Sequence, residues 1–179
     1  MKTILRDTLL IIMLAAVLFV GLQFAVQRYA VEGPSMLVNF HDGQQLLVNK
    51  AVYYFHEPER GDVIIFLSPV GGSERYIKRI IGLPGESVEI KDGVVCIIKP
   101  DGTVIELDEP YVKEPAKVSY KRDKIPADEY FVMGDNRNNS SDSRNGWTLP
   151  VENIVGKVWL SVWPLDDFGL ITGYAYSGN

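Results

Sequence analysis

Two short blocks hold the residue types for nucleophilic chemistry. Ser35 sits in Gly33-Pro34-Ser35-Met36, and Lys78 in Arg75-Tyr76-Ile77-Lys78-Arg79-Ile80-Ile81, followed by Gly82-Leu83-Pro84-Gly85. Serine is a poor nucleophile at its own pKa, so a hydrolase must set a base within hydrogen-bond reach, commonly histidine but in some folds lysine. A lysine can serve only when neutral, and its solution pKa is about 10.4; burial among apolar groups lowers it. If residues 75–81 form a strand, Tyr76, Lys78 and Ile80 share one face while Ile77, Arg79 and Ile81 share the other, so one of the two cations must point into protein. Taken alone, this fragment favours an exposed lysine on an edge strand, and a lone Gly-x-Ser-Met is an equally weak signal.

A third block changes the balance. Residues 134–146, Gly-Asp-Asn-Arg-Asn-Asn-Ser-Ser-Asp-Ser-Arg-Asn-Gly, are thirteen positions without an apolar side chain, set between Tyr130-Phe131-Val132-Met133 and Trp147. A flexible linker would be rich in Gly and Ser rather than loaded with Asp, Asn and Arg. Side chains of these types bond backbone and one another, so the run reads as an ordered loop.

These blocks need elements to hold them. Residues 8–26 are apolar apart from Thr8, Gly21 and Gln23, and at ~1.5 Å rise per residue a helix of that length just spans a bilayer core of roughly 30 Å. Lys2 and Arg6 precede it and Arg28 alone follows closely, which puts residues 1–7 in the cytoplasm and residues 27–179 outside. A cleaved secretory signal is the alternative, but its apolar core is usually only about 7–15 residues long. Gln23 to Ala30 also lacks a clear small-x-small cleavage site, so a retained single-pass anchor in the cell membrane fits better.

The exterior part carries 16 Lys and Arg against 22 Asp and Glu, net −6, with the charges scattered. That balance argues against nucleic acid as a partner, and the length suits one catalytic domain. Cys96 is the only cysteine, which excludes an intramolecular disulfide, and its apolar neighbours mark a strand position. With His41 and His56 the only histidines, no familiar zinc ligand set can be assembled. No metal and no cofactor are expected.

Short apolar runs rich in β-branched residues recur at 45–52, 62–67, 76–81, 87–90, 94–98, 103–107, 129–133 and 155–162. They predict an all-β fold of largely antiparallel sheets, with Asp92-Gly93 and Asp101-Gly102 closing tight hairpins. Between residues 91 and 127 the composition shifts toward Pro, Lys, Glu and Asp, which reads as a small hairpin subdomain inserted into the catalytic domain.

Taken together, Gly33-Pro34-Ser35-Met36, Glu57-Pro58-Glu59-Arg60-Gly61-Asp62-Val63, Tyr76-Ile77-Lys78-Arg79 with Gly82-Leu83-Pro84-Gly85, and the polar block from Gly134 to Arg144 resemble bacterial type I signal peptidase. The blocks stand in the family's order and approximate spacing, from the membrane segment to about Trp163. The resemblance implies Ser35 as nucleophile, Lys78 as general base, and Ser140 as the hydroxyl that hydrogen-bonds and orients the Lys78 amine. It also implies that Asp142 and Arg144 pair to hold the loop, with Asp135 and Arg137 structural. A short hydroxyl can support a neutral amine without restoring its charge, whereas a carboxylate touching it would.

Two positions depart from the family. Leu37-Val38-Asn39-Phe40 replace the usual x-Pro-Thr-Leu after the serine and methionine, and Gly33 stands where some members place a hydroxyl for the oxyanion, leaving backbone amides, Ser35 N–H first, for that task. His41-Asp42 near Ser35 invites a Ser-His-Asp reading, but the intact lysine block speaks against it. The implied substrate is a preprotein with a signal peptide, cut after small residues at the first and third positions before the scissile bond, with residues 36–40 and 64–67 as candidate walls. Phe40, Tyr53, Tyr54, Phe55 and the run 158–163 could supply an aromatic surface for the lipid bilayer, although Trp159 reads better as core. Two rivals are a self-cleaving repressor-type Ser-Lys peptidase, which would carry a DNA-binding domain where this chain has its apolar segment, and a non-catalytic membrane-anchored β-domain that binds signal peptides.

Overall fold

A computed structural model describes residues 2–176, and at positions 2, 3, 5, 18, 20, 22 and 24 the backbone alone. One helix, α1 (Lys2–Ala25), leads directly into strand β1 (Val26–Ala30). The strands that follow are β2 (Gln45–Asn49), β3 (Val63–Leu67), β4 (Arg75–Gly82), β5 (Ser87–Lys91), β6 (Val94–Ile98), β7 (Val104–Glu106), β8 (Tyr120–Arg122), β9 (Glu129–Met133), β10 (Leu149–Pro150), β11 (Ile154–Trp163) and β12 (Gly169–Leu170). Among the described residues no helix is long and apolar enough to cross a membrane. The described side chains of α1 nonetheless pack against nothing: Leu9, Ile11, Leu14 and Phe19 are 57, 69, 60 and 63 % exposed.

The main sheet has the order β1-β2-β11-β3-β4-β9-β10, with β12 added to β11, and its pairings are antiparallel. A smaller sheet, β7-β6-β5-β8, is antiparallel too. Its β5–β6 hairpin closes at Asp92-Gly93, both with positive φ (51° and 84°), as the two-residue turn requires. It includes β5, so it begins four residues before the compositional shift at Lys91.

The chain is mostly antiparallel β with one helix. Three apolar clusters hold it together. Ile81, Val88, Ile90, Ile97, Phe131 and Met133 join the small sheet to the large one. Met36, Leu46, Val48, Ile65, Ile77 and Val158 form a second cluster, and Ile64, Phe66, Ile80, Val132 and Leu149 a third. Each such side chain taken from water contributes about 1.5–3 kcal/mol.

Strand β4 runs between β3 and β9, so it is an interior strand rather than an edge. That position explains why Lys78 and Arg79 are both buried, at 3 and 5 % exposure, although alternation suggested only one would be. Phe40 lies in the second cluster rather than on a lipid-facing surface, because Met36 and Phe40 cap the open end of that cluster from the same turn. Trp159 is 38 % exposed, more open than a core position, on a strand whose outer face is not covered.

Candidate active site

Ser35 follows Gly33, whose φ of +81° turns the chain out of β1, and whose N–H donates to Asp42 Oδ1 at 2.8 Å. A tight turn then forms, with Leu37 N–H bonded to Pro34 O and Phe40 N–H to Met36 O, and the fully buried Met36 pins it to the core. Ser35 is left half-buried at its tip. Lys78 reaches it from β4: Lys78 Nζ lies 2.7 Å from Ser35 Oγ. The pair opens into a cleft of about 490 Å³ walled by Arg28, Tyr29, Glu32, Ile65, Arg75 and Tyr76.

The amine has few other neighbours. It donates to its own strand's Ile77 O at 2.8 Å and stands 5.5 Å from the centroid of the Tyr76 ring. Burial pushes its pKa down to about 8, against the pull of Asp142 and Asp135, which favour the charged form. A neutral fraction of roughly one tenth at pH 7, rising to about half at pH 8, follows, and only the neutral amine can act as a base.

The polar block is an ordered loop packed beneath this pair. Asn136 N–H donates to Ser35 O at 3.0 Å and Asn136 Nδ2 to Pro34 O at 3.0 Å, tying loop to nucleophile turn. At Gly134 a Cβ would collide with Ser35 O and Ser140 Oγ, so only glycine lets the two segments meet. Asp142 and Arg144 pair through two bonds of 2.8 Å. Burial raises the Asp142 carboxyl, but the Arg144 guanidinium and the Gly134 N–H outweigh it and hold the group below the ordinary carboxylate range. Asp135 takes Arg79 in the same forked manner at 2.9 and 2.7 Å, and Arg137 takes Glu109. The Asp142–Arg144 contact expected from the sequence is therefore present, and neither carboxylate bonds the lysine.

The Ser140 hydroxyl is buried beside Gly134 and acts on the Asp142 carboxyl, which it helps to hold ionised, while the bonds of the amine go to Ser35 Oγ and Ile77 O. Ser35 N–H makes no hydrogen bond to the described residues, and Ser35 lines the cleft. His41 is exposed and sits 3.7 Å from Asp167, not at Ser35. Among the described residues no group of His, Cys, Asp or Glu is placed to hold a metal.

Of the expected walls, only Ile65 lines the cleft, and none of residues 36–40 does. Residues 28–30 and 75–77 do so instead. The apolar segment runs straight into residues 28–30 and hides them, and strand alternation does not show that residues 75–77 border a cleft. The Glu57–Val63 block lies outside the cleft, where Arg60 forks onto Glu86 and the Gly61 carbonyl accepts from Arg79 Nη1 at 3.0 Å.

The chain as a whole is similar to known proteins. The model of one family, described as signal peptidase, peptidase S26, matches residues 4–163. The chain belongs to the signal peptidase family, peptidase S26. A signal peptidase I of Bacillus amyloliquefaciens is 43 % identical over 155 residues, covering 80 % of this chain and 77 % of its own. A probable signal peptidase I-1 of Synechocystis is 36 % identical over 180 residues, covering 96 and 89 %. The crystal structure of a signal peptidase I from Enterococcus faecalis shares the fold with a TM-score of 0.50 at 32 % identity, covering 57 % of this chain and 97 % of that one. The resemblance read from the four sequence blocks is thus borne out, and the signal peptidase family makes this chain a hydrolase of peptide bonds.

Proposed function

We propose that this chain is a membrane-anchored serine endopeptidase that removes N-terminal signal peptides from exported preproteins, cutting after small residues at the first and third positions before the scissile bond. The observation that carries the chemistry is the 2.7 Å contact between Ser35 Oγ and the desolvated Lys78 amine. Neutral Lys78 Nζ takes the Ser35 hydroxyl proton as Oγ bonds to the scissile carbonyl carbon, and the carbonyl π-bond opens to an oxyanion facing Ser35 N–H. Lys78 then passes its proton to the leaving amine as the C–N bond breaks, leaving an ester on Ser35. Water, deprotonated by the same amine, attacks the ester and releases Ser35. Asp142 and Arg144 support the loop, and Ser140 keeps a supporting role beside Asp142 within it.

Anchoring rests on the 19-residue apolar sequence and on the exposed leucines and isoleucines of α1, which water would not tolerate in such number. The basic residues before it favour a cytoplasmic N-terminus and an extracytoplasmic catalytic domain. Lys50 N–H bonds Ala25 O at the end of α1, and the aromatics just beyond, Tyr54 and Phe55, are 85 and 79 % exposed, which suits a lipid interface. Tethering at the surface where preproteins emerge raises their effective concentration. The rival of a non-catalytic signal-peptide-binding domain has only the replacement of the usual Pro-Thr by Val38-Asn39 in its favour, and the Ser35–Lys78 contact opposes it. Incubating the full chain in lipid vesicles with a preprotein bearing an Ala-x-Ala site tests the reading: wild type cuts at that site and Lys78→Ala does not. Cutting that persists in the variant removes Lys78 from the mechanism, and no cutting by either removes the activity.

A further inference from the structure

The polar loop does not hold itself in place. Glu109, in the segment between β7 and β8, accepts two bonds from Arg137, at 2.5 Å to Nη1 and 2.6 Å to Nη2, with side chains only 9 and 1 % exposed. Arg137 Nε donates in turn to Gly134 O at 3.2 Å, and Arg144 Nη1 to Arg137 O at 2.6 Å. Gly134 is the residue wedged against Ser35 O and Ser140 Oγ. Glu109 is thus two hydrogen-bonded steps from the backbone that supports the serine.

The same segment grips the site at three other points. Tyr111, whose hydroxyl donates to Glu109 Oε1 at 2.7 Å, lays its ring under Arg79, with Cζ 4.0 Å from the centroid, and so backs the Arg79–Asp135 pair. Its carbonyl accepts from Asn39 Nδ2 at 2.9 Å, and that amide also donates to Asp135 Oδ2 at 2.7 Å. Asn138 accepts from Lys117 N–H and donates to Pro115 O, both at 3.0 Å. Every one of these contacts joins the 109–117 segment to the Ser35 turn, to the strand of Lys78 or to the loop beneath them.

We propose that the 109–117 segment is the positioning element of the Ser35–Lys78 site, with Glu109 its principal positioning residue. Groups held within a fraction of an ångström by a bonded shell keep their reactive geometry; loosening the shell costs rate without touching the reacting atoms. The proposal rests on the peptidase reading above.

Its consequence reaches the titration of Lys78. The charges of Asp135 and Asp142 act on the amine from the loop, Tyr76 stands beside it on its own strand, and Arg28, Glu32 and Arg75 lie around the cleft. Asp135 and Asp142 are neutralised by Arg79 and Arg144. A loosened loop admits water and partly frees both carboxylates, and each change favours the ammonium form. The acid limb of the rate profile must then move to higher pH.

The test is Glu109→Gln in the full chain in lipid vesicles, with preprotein cleavage followed from pH 6 to 10 and Tm measured in parallel. The expected result is a kcat lowered about tenfold or more with KM nearly unchanged, since geometry rather than binding is lost, and an acid limb displaced upward by about half a pH unit or more. A limb that stays at its wild-type pH, whatever happens to Tm, overturns the proposal, because a purely structural role would lower Tm alone. Should Glu109→Gln fail to fold, Asn138→Ala, at an exposed position, must move the limb in the same direction by a smaller amount, and an unmoved limb there overturns it equally. Wild type serves as control: its failure to cut would strike the peptidase reading instead.

Discussion

The two faces of β4 each bury a cation and treat it in opposite ways. On one face the Lys78 amine hydrogen-bonds no carboxylate, only the Ser35 hydroxyl and a carbonyl, with an aromatic ring beside it. On the other, one residue along, Arg79 is forked by Asp135, backed by the Tyr111 ring and bonded to Gly61 O. Burial disfavours both charges; on Arg79 the carboxylate outweighs it and the guanidinium is held above its ordinary value, while on Lys78 burial wins. A paired buried cation is structural, whereas an unpaired one is held ready to lose its proton.

The largest way to break this contrast is Lys78→Arg, which puts a group that never deprotonates in place of the proposed base. Preprotein cleavage should fall by about 10²–10⁴-fold, the contribution of a general base, as read by gel assay at pH 8. Next comes Arg79→Met, which strands Asp135 in the interior. Leaving one half of a buried pair uncompensated costs about 3–5 kcal/mol, so the denaturant midpoint should drop sharply.

The smallest effect has the opposite sign. Lys78→Met removes a charge the fold holds at a cost. The folded pKa near 8 lies below the ordinary lysine value of 10.5, so the unfolded chain binds the proton more tightly and stability rises with pH across that window. At pH 7 the penalty is fully present, and its removal, offset by two lost hydrogen bonds, should make the variant about 1–3 kcal/mol more stable. Above pH 10.5 the gain should vanish, as thermal denaturation at pH 7 and pH 11 would show. Equal stability of wild type and variant at pH 7 would mean that the amine is not desolvated after all.

What could be read ahead of the structure followed from how local the physics is. Asp92-Gly93 announces a hairpin because positive φ is a property of two residues. Ser35, Lys78 and the loop were legible as blocks, and the pairing of Asp142 with Arg144 spans only two positions. Strand β1 was hidden because Val26 continues the apolar helix run, and β8, β10 and β12, at three, two and two residues, are too short for any period to appear. Glu109 gave no signal, since its partner lies 28 residues away in a segment of unremarkable composition. The burial of both Lys78 and Arg79 also escaped alternation, which assumes that one face of the sheet is wet. In β4 Ile77 packs into the second cluster and Arg79 against the Tyr111 ring, while Tyr76 and Ile80 pack into the third cluster and Lys78 against Ser35, so both faces are covered.

Gly134 bears on how such a site can change over time. The turn that carries the nucleophile and the loop that supports it touch with no side chain between them, so the gap is as narrow as two peptide backbones allow. Arg28, Glu32 and Arg75 at the cleft mouth have no such backbone-to-backbone constraint upon them. A single methyl group at position 134 would wedge the two segments apart. The rim is free of a constraint that the floor cannot escape.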